Sequence, residues 1–447
     1  MAKKLFVSIE NDDEALDVQT EETVTVAEND AEAAVATINE TIEDIKEDIE
    51  TLEDAADDIE TLEDHTEVVE GTLEDGGEGM TEDHAKTLEI AVESILRNLN
   101  YKPKNKKTFS TENFGSVHTR KKATELALEG FKETIIQLWE RVVAFAKDVW
   151  EKVIKFYESY FSELGRLKNG IAALEKQVKE AKGSPKEQTL KAAGLTKAFW
   201  DFNAKDVKPE EILANHIAVT KAGLEFANGV APLAEEVLNV VKKGVSGEEV
   251  EVNSEMLGGV VDKSNNLLRS IVQGKEQAGP FFNNTIVKFK SESQEITASN
   301  GSKKYVKILT WDAVPFLSDK GAPALDKAGC EKVIGEAKEL LSLTEKFKEK
   351  QTKIKAFQSA MVKIGETVIS AVNKMSDSDE KAKKASMTEV RSFIQKSNTT
   401  YTRVLSTIPG LNTNVIKASM NYVQASLRNM GEATAAPAEG EKEKTEE

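Results

Sequence analysis

Apolar residues recur at steps of three and four between positions 126 and 161. One stripe runs Phe131, Ile135, Leu138, Val142, Phe145, Val149, Val153, Phe156 and Tyr160. A second, beside it, runs Trp139, Val143, Ala146, Trp150, Ile154, Tyr157 and Phe161. That period predicts an α-helix, and two adjacent stripes make a face wider than a two-stranded seam requires. The opposite face carries Glu140, Arg141, Lys147, Asp148, Glu151, Lys152 and Lys155, with Asp148–Lys152 and Glu151–Lys155 at the acid-before-base spacing of four. At 1.5 Å per residue the helix would be on the order of 50 Å long. Eight of the chain's 27 aromatics lie between Phe131 and Phe161, so the core is expected to condense there, on Trp139, Phe145, Trp150 and Phe156.

A different period governs residues 31–62. Ala31, Val35, Ile38, Ile42, Ile45, Ile49, Leu52, Ala56 and Ile59 alternate by four and three, a heptad seam. Its flanks are nearly all Asp and Glu. A parallel self-pair would be repelled on both sides, and a basic partner helix or a polycationic surface suits the seam better. Residues 1–30 are poorly patterned and expected to be disordered. Glycines at 71, 76, 77 and 79 end the heptad helix. A short helix is expected at 82–100, then a basic loop, 101–107, interrupted by Pro103.

Beyond the aromatic helix, Leu164, Leu167, Ile171, Leu174 and Val178 extend its stripe, with Gly165 and Gly170 loosening it. Helical pieces are expected at 195–202, 210–229 and 232–243. Residues 285–290 and 304–310 are β-branched or aromatic and flank Asn300-Gly301, which predicts an antiparallel hairpin near 280–314 with its tip at Asn300. Residues 249–252 are a candidate third strand. From 323 the pattern is helical again and closes in a pair, 387–408 and 411–430, split at Pro409-Gly410; residues 432–447 read as a disordered tail. The fold class is mainly α. It comprises an acidic helical or disordered arm (1–112), a long aromatic amphipathic helix (113–183), and a helical-bundle body (184–431) with one small antiparallel β-hairpin.

Charge divides the chain unevenly. Residues 1–85 hold 30 acids and three lysines, a net −27, and the remainder holds 48 acids and 56 bases, a net +8. Such asymmetry speaks of partners and solubility rather than of fold. Cys330 is the lone cysteine, which excludes an internal disulfide framework and any Cys-based zinc site. The first ten residues lack the long apolar region of a secretory signal, so synthesis in the cytoplasm is expected.

Catalytic patterns are missing. His65, His84, His118 and His216 are scattered, and no two share a metal-binding helix spacing. No nucleophile elbow, phosphate loop or dinucleotide fingerprint appears. The carboxylates of the heptad helix read as a solvated face. The aromatic helix, read alone, also fits a membrane-surface element, but its polar face is of mixed charge rather than basic, and no apolar window approaches the ~18 residues needed to span.

Thr108-Phe-Ser-Thr-Glu-Asn-Phe-Gly-Ser116 leads into Arg120-Lys-Lys-Ala-Thr-Glu-Leu-Ala-Leu128 and then into the helix punctuated by Trp139 and Trp150. These segments resemble the internal head, or prohead core, proteins of large tailed bacteriophages, in which a Glu-(Ser/Asn)-(Phe/Tyr)-Gly segment precedes such a helix. Residues 84–99 are similar to the short helix upstream of it, and the resemblance is best over residues 80–180. It implies a virion structural protein of the capsid interior, made in the host cytoplasm and packed with or near the genome. Its implied partners are capsid and prohead core proteins, a maturation protease and, weakly, packaged DNA, with no catalytic residue, cofactor, metal or small-molecule substrate.

In that family, assembly proteases cut after Glu with a small or apolar residue two positions before it. Ser110-Thr111-Glu112 matches, with Asn113 as the new amino terminus. Glu93, Glu125 and Glu295 match the same short pattern, but the first two fall in predicted helices and Glu112 in an expected loop. A cut there would divide a net −24 segment, 1–112, from a net +5 remainder. Two other readings stay open: a membrane-active or ejected effector acting through residues 126–161, and an acidic coiled-coil adaptor.

Overall fold

Ser116 opens the longest helix. Its Oγ accepts the Thr119 N–H at 3.3 Å while Thr119 Oγ1 accepts the Ser116 N–H at 3.0 Å, a reciprocal cap that satisfies two otherwise unpaired donors. The computed structural model describes residues 18–74, 77–102, 116–190, 193–201, 207–246, 254–290, 294–297, 303–314, 321–372 and 380–430. From Ser116 the helix α3 (Val117–Glu180) runs unbroken for 64 residues, roughly 96 Å at 1.5 Å per residue. It extends past both ends of the expected 126–161. Gly165 and Gly170 do not interrupt it, because the loss of about 1 kcal/mol at each glycine is outweighed by the burial of Leu164, Leu167, Ile171, Leu174 and Val178.

The other helices dress this spine. They are α1 (Val18–Gly71), α2 (Glu82–Asn98), α4 (Ala193–Phe199), α5 (Pro209–Ser246), α6 (Ser254–Ile271), α7 (Lys327–Glu345), α8 (Phe347–Val372) and α9 (Glu380–Met430). Cross-helix bonds give their directions. Trp150 Nε1 donates to Asn398 and Tyr157 Oη to the Leu405 carbonyl, so α3 and α9 run parallel in register. Lys168–Glu345, Lys338–Glu175 and Lys355–Glu158 set α7 and α8 antiparallel to α3. α5 crosses on α9 through Phe226–Tyr401 and His216–Asn412.

Two helices expected in halves are single. α5 passes through Pro232 and α9 through Pro409-Gly410. An interior proline removes a helix hydrogen bond and costs ~3 kcal/mol or more. Around Pro232, the buried Val230, Ala231, Leu233 and Ala234 hold the helix in place. In α9 the Tyr157 hydroxyl takes the place of the missing N–H.

The small β structure also departs from one simple hairpin. β2 (Gln277–Phe281), β3 (Thr285–Phe289) and β6 (Leu309–Ala313) form an antiparallel sheet in the order β2-β3-β6. The expected second strand is split: Leu309–Ala313 pairs with β3, while β5 (Lys303–Val306) pairs with β4 (Gln294–Thr297). Both ladders are centred near residue 300, as the turn signal predicts, although Asn300 and Gly301 themselves lie outside the described residues. The third strand is Gln277–Phe281; the candidate at 249–252 lies outside the described residues. A further two-residue ladder joins β1 (Thr189–Leu190) to β7 (Ala322–Pro323).

The heptad helix is longer than the pattern suggests, since 18–30 are helical too. Extending a helix costs far less than nucleating one. Its seam is not left for a foreign partner. Val35, Ile38, Ile45, Ile49, Leu52, Ile59, Leu62 and Val69 are buried in this chain's own core, each contributing about 1.5–3 kcal/mol of gross burial. One apolar cluster joins Val35–Ile49 of α1 to α3, α5, α7, α8 and α9. A second is built from the later half of α1, from α2 and from the first half of α3. The first half of the heptad helix, expected as part of an arm, is therefore built into the same core as the body.

Candidate functional site

A 3.5-residue period that buries one stripe also sorts the charges of α1 into flanks and a ridge. The helix carries twenty acids and one lysine, Lys46. The acids on its flanks meet bases on both neighbours. On α3, Asp48 pairs with Lys152 at 2.5 Å and Glu70 with Lys132 at 3.0 Å. On α9, Glu53 meets Arg403 through two parallel bonds of 3.0 and 2.9 Å, Glu60 meets Lys396 at 3.5 Å and Glu63 meets Arg391 at 2.7 Å. α1 is antiparallel to both. The basic partner helix that the seam called for is thus supplied by the chain itself. Lys152, expected to pair with Asp148 on its own helix, reaches across to Asp48.

Glu40, Glu43, Glu47, Glu50, Asp54 and Asp57 face solvent on the remaining side and form an acidic ridge, in which Lys46 pairs with Glu43 at 3.1 Å. Behind them the Asp58 carboxyl is pushed up, first by burial and then by Asp54 and Asp57.

α1 is also keyed for position. Asn39 and Asn414 exchange amide hydrogen bonds of 3.0 and 2.8 Å. Gly410 lets Ile42 lie directly on α9, where any Cβ would collide with the Ile42 Cδ1 methyl. Gln395 donates to the Leu52 carbonyl at 3.1 Å.

Near the carboxy-terminal end of α1 lies a buried ion pair. Glu63 Oε1 accepts from Arg391 and, at 3.1 Å, from Trp139 Nε1; the guanidinium sits 5.5 Å from the Trp139 ring centroid. Burial pushes the Glu63 carboxyl up and the Arg391 guanidinium down, each partly offset by the other's charge. Glu63 Oε2 and Arg391 Nε are buried without a hydrogen-bond partner, so the pair is incompletely satisfied. Beside it lies an apolar cavity of about 60 Å³, lined by Leu52, Trp139, Val143, Met361, Gly365 and Ile394 among others.

Of the aromatics expected in the core, Trp139, Trp150 and Phe156 are buried. Phe145 is half-buried, at the boundary between the two clusters. Trp150 stacks edge-on to Phe357 at 5.1 Å and bonds Asn398 at 2.6 Å. Ser110, Thr111, Glu112 and Asn113 lie outside the described residues. The competing matches are all in regular structure: Glu93 in α2, Glu125 in α3 and Glu295 in β4.

Sequence reasoning missed a second polar centre. His216 is fully buried; its Nε2 accepts the Phe282 N–H at 2.8 Å, which leaves the proton on Nδ1 to donate to Asn412 Oδ1 at 3.1 Å. Asn412 Nδ2 donates onward to Thr220 and Thr344 hydroxyls at 2.8 and 3.0 Å. Desolvation lowers the histidine pKa to about 4. The only hint in sequence was a His on the apolar arc of a helix, a pattern shared with any core histidine.

Cys330 is buried, with its thiol pushed up to about 12 by desolvation first and the Asp326 and Glu331 charges next, far from thiolate at neutral pH. Among the described residues no group of three or more His, Cys, Asp and Glu could hold a metal ion, and no helix is long and apolar enough to cross a membrane. The stripes that would serve a membrane-surface helix at 126–161 are mostly turned into the bundle.

The model of the phiKZ-like phage internal head proteins matches residues 27–425, from within α1 to the last turns of α9. No curated protein and no solved structure matches the chain. A match over nearly the whole described bundle makes this chain a member of the phiKZ-like phage internal head protein family.

Proposed function

We propose that the protein is a structural component of the capsid interior, trimmed after Glu112 by a maturation protease and packed with or near the genome among capsid and prohead core proteins. The family match over residues 27–425 carries this reading. The build of the molecule supports it: its buried polar groups tie helices together instead of converging on an open site. The unequal charge of the two segments, −24 for 1–112 and +5 for 113–447, also supports a role beside a polyanion, since it offers a way to lower repulsion once the acidic segment has gone. A charge of +5 favours weak, salt-sensitive association with DNA over tight binding. No enzymatic step is part of the reading.

Peptide mapping of the protein from purified, DNA-filled particles tests it. A semi-specific amino terminus at Asn113 is expected, and Glu112→Gln should abolish it. Particles in which peptides spanning residues 103–115 are recovered intact would overturn the processing part of the proposal.

A further inference from the structure

We propose that a single backbone cut between residues 102 and 116 leaves the amino-terminal fragment docked, so that the trimmed protein is a two-fragment complex and not a shortened chain. The biological setting rests on the processing reading above; the docking itself does not.

Both sides of the cut are anchored independently. Upstream, the ring of Tyr101 is buried, its hydroxyl bonds Gln137 of α3, and Arg141 lies 4.4 Å from the ring centroid. Downstream, Ser116 caps α3 through its own Thr119. Neither anchor needs the peptide bonds between them.

The fragment is held from Val35 to Tyr101. Eight branched aliphatics of α1 are buried, five of its acids pair with bases of α3 and α9, and Asn39 and Gly410 fix its register. Met80, Ala85, Leu88, Val92, Ile95 and Leu96 add a second buried patch before the cut. The Met80 N–H bonds Thr124 and Glu78 pairs with Arg120, both on α3.

The dependence is mutual. Ala127, Phe131, Ile135, Leu138, Trp139 and Val142 of α3 belong to a cluster whose other buried members all come from residues 52–101. Departure of the fragment would bare that face to water along several turns. An amphipathic helix in a matching groove is a familiar mode of tight recognition, and here the groove is lost if the helix leaves. The surplus of negative charge would therefore stay with the protein after the first cut. The shift to +5 needs a second event that unfolds or digests α1.

The test uses the full chain with a site-specific protease sequence substituted within residues 104–114, purified and then cut. Co-elution of both fragments from a native sizing column at about 1 µM, a concentration that dissociates weak complexes, is the expected result, with separation in concentrated guanidinium. Free 1–112 fragment in native buffer overturns the docking proposal. Quantitation of both fragments from particles separates the two ideas: equal amounts of each support both, whereas uncut chain alone overturns the processing reading and leaves docking standing.

Discussion

The Tyr157 hydroxyl donates to the Leu405 carbonyl at 2.6 Å, the carbonyl that Pro409, four residues on, has no N–H to satisfy. One turn later Tyr160 and Thr413 both donate to the Pro409 carbonyl at 2.9 Å. Burial raises the pKa of the Tyr157 hydroxyl well above its usual range, which keeps it a donor. A side chain of α3 thus repairs the break in α9, and the repair is why α9 is one helix.

Tyr157→Phe should cost about 1–3 kcal/mol, the penalty for an unsatisfied buried acceptor. In a Pro409→Ala background the restored N–H reclaims Leu405, and the same change should cost less than about 1 kcal/mol. Denaturant unfolding of the four proteins measures this coupling. Equal costs in both backgrounds would refute the repair.

Trp150→Ala should destabilise the protein by about 3–5 kcal/mol. The ring is buried against Phe357 and its Nε1 is bonded to Asn398, so truncation leaves both a void and an orphaned amide. A loss under about 0.5 kcal/mol, the scale of surface substitutions, would show that the ring is exposed in solution.

Glu63→Ala strands Arg391 in the seam and should cost about 3–5 kcal/mol. Glu63→Leu combined with Arg391→Met removes both charges, and with them the unsatisfied Oε2 and Nε, and should recover most of that loss. Unfolding midpoints of the single and double variants decide. A double variant no better than Glu63→Ala would mean that the charges themselves hold the seam.

Acid should weaken the fold through His216. Its folded pKa of about 4 lies below the unfolded value near 6.5, so below 6.5 the unfolded chain binds the extra proton. The stability it contributes is complete above 6.5, declines as pH falls and is gone below about 4, a loss of about 3 kcal/mol at 1.36 kcal/mol per unit. NMR titration of the ring should give a midpoint near 4; a midpoint near 6.5 would show that the ring meets water.

Much of this molecule is written in local periodicity. The steps of three and four at 126–161, the heptads at 31–59 and the turn signal at Asn300-Gly301 each depend on neighbours a few residues away; the first two mark helices that are present, and antiparallel ladders flank the third. The buried stripes around Trp150 and Phe156 follow from the same pattern, because a face too wide for one partner helix must be enclosed by several. What the sequence alone could not decide was continuity and partnership. Pro409 and Pro232 read as breaks because the groups that sustain the helices, Tyr157 for one and a buried apolar shell for the other, come from remote parts of the chain or from packing. The acids of α1 read as a solvated flank because their partners, Lys152, Arg391 and Arg403, are on helices 100 to 350 residues away. His216 and Asn412 carry no local signal, and only the crossing of α5 on α9 brings them within 3.1 Å. Period sets which face of a helix is apolar; the tertiary fold sets what that face, and the charges beside it, will meet.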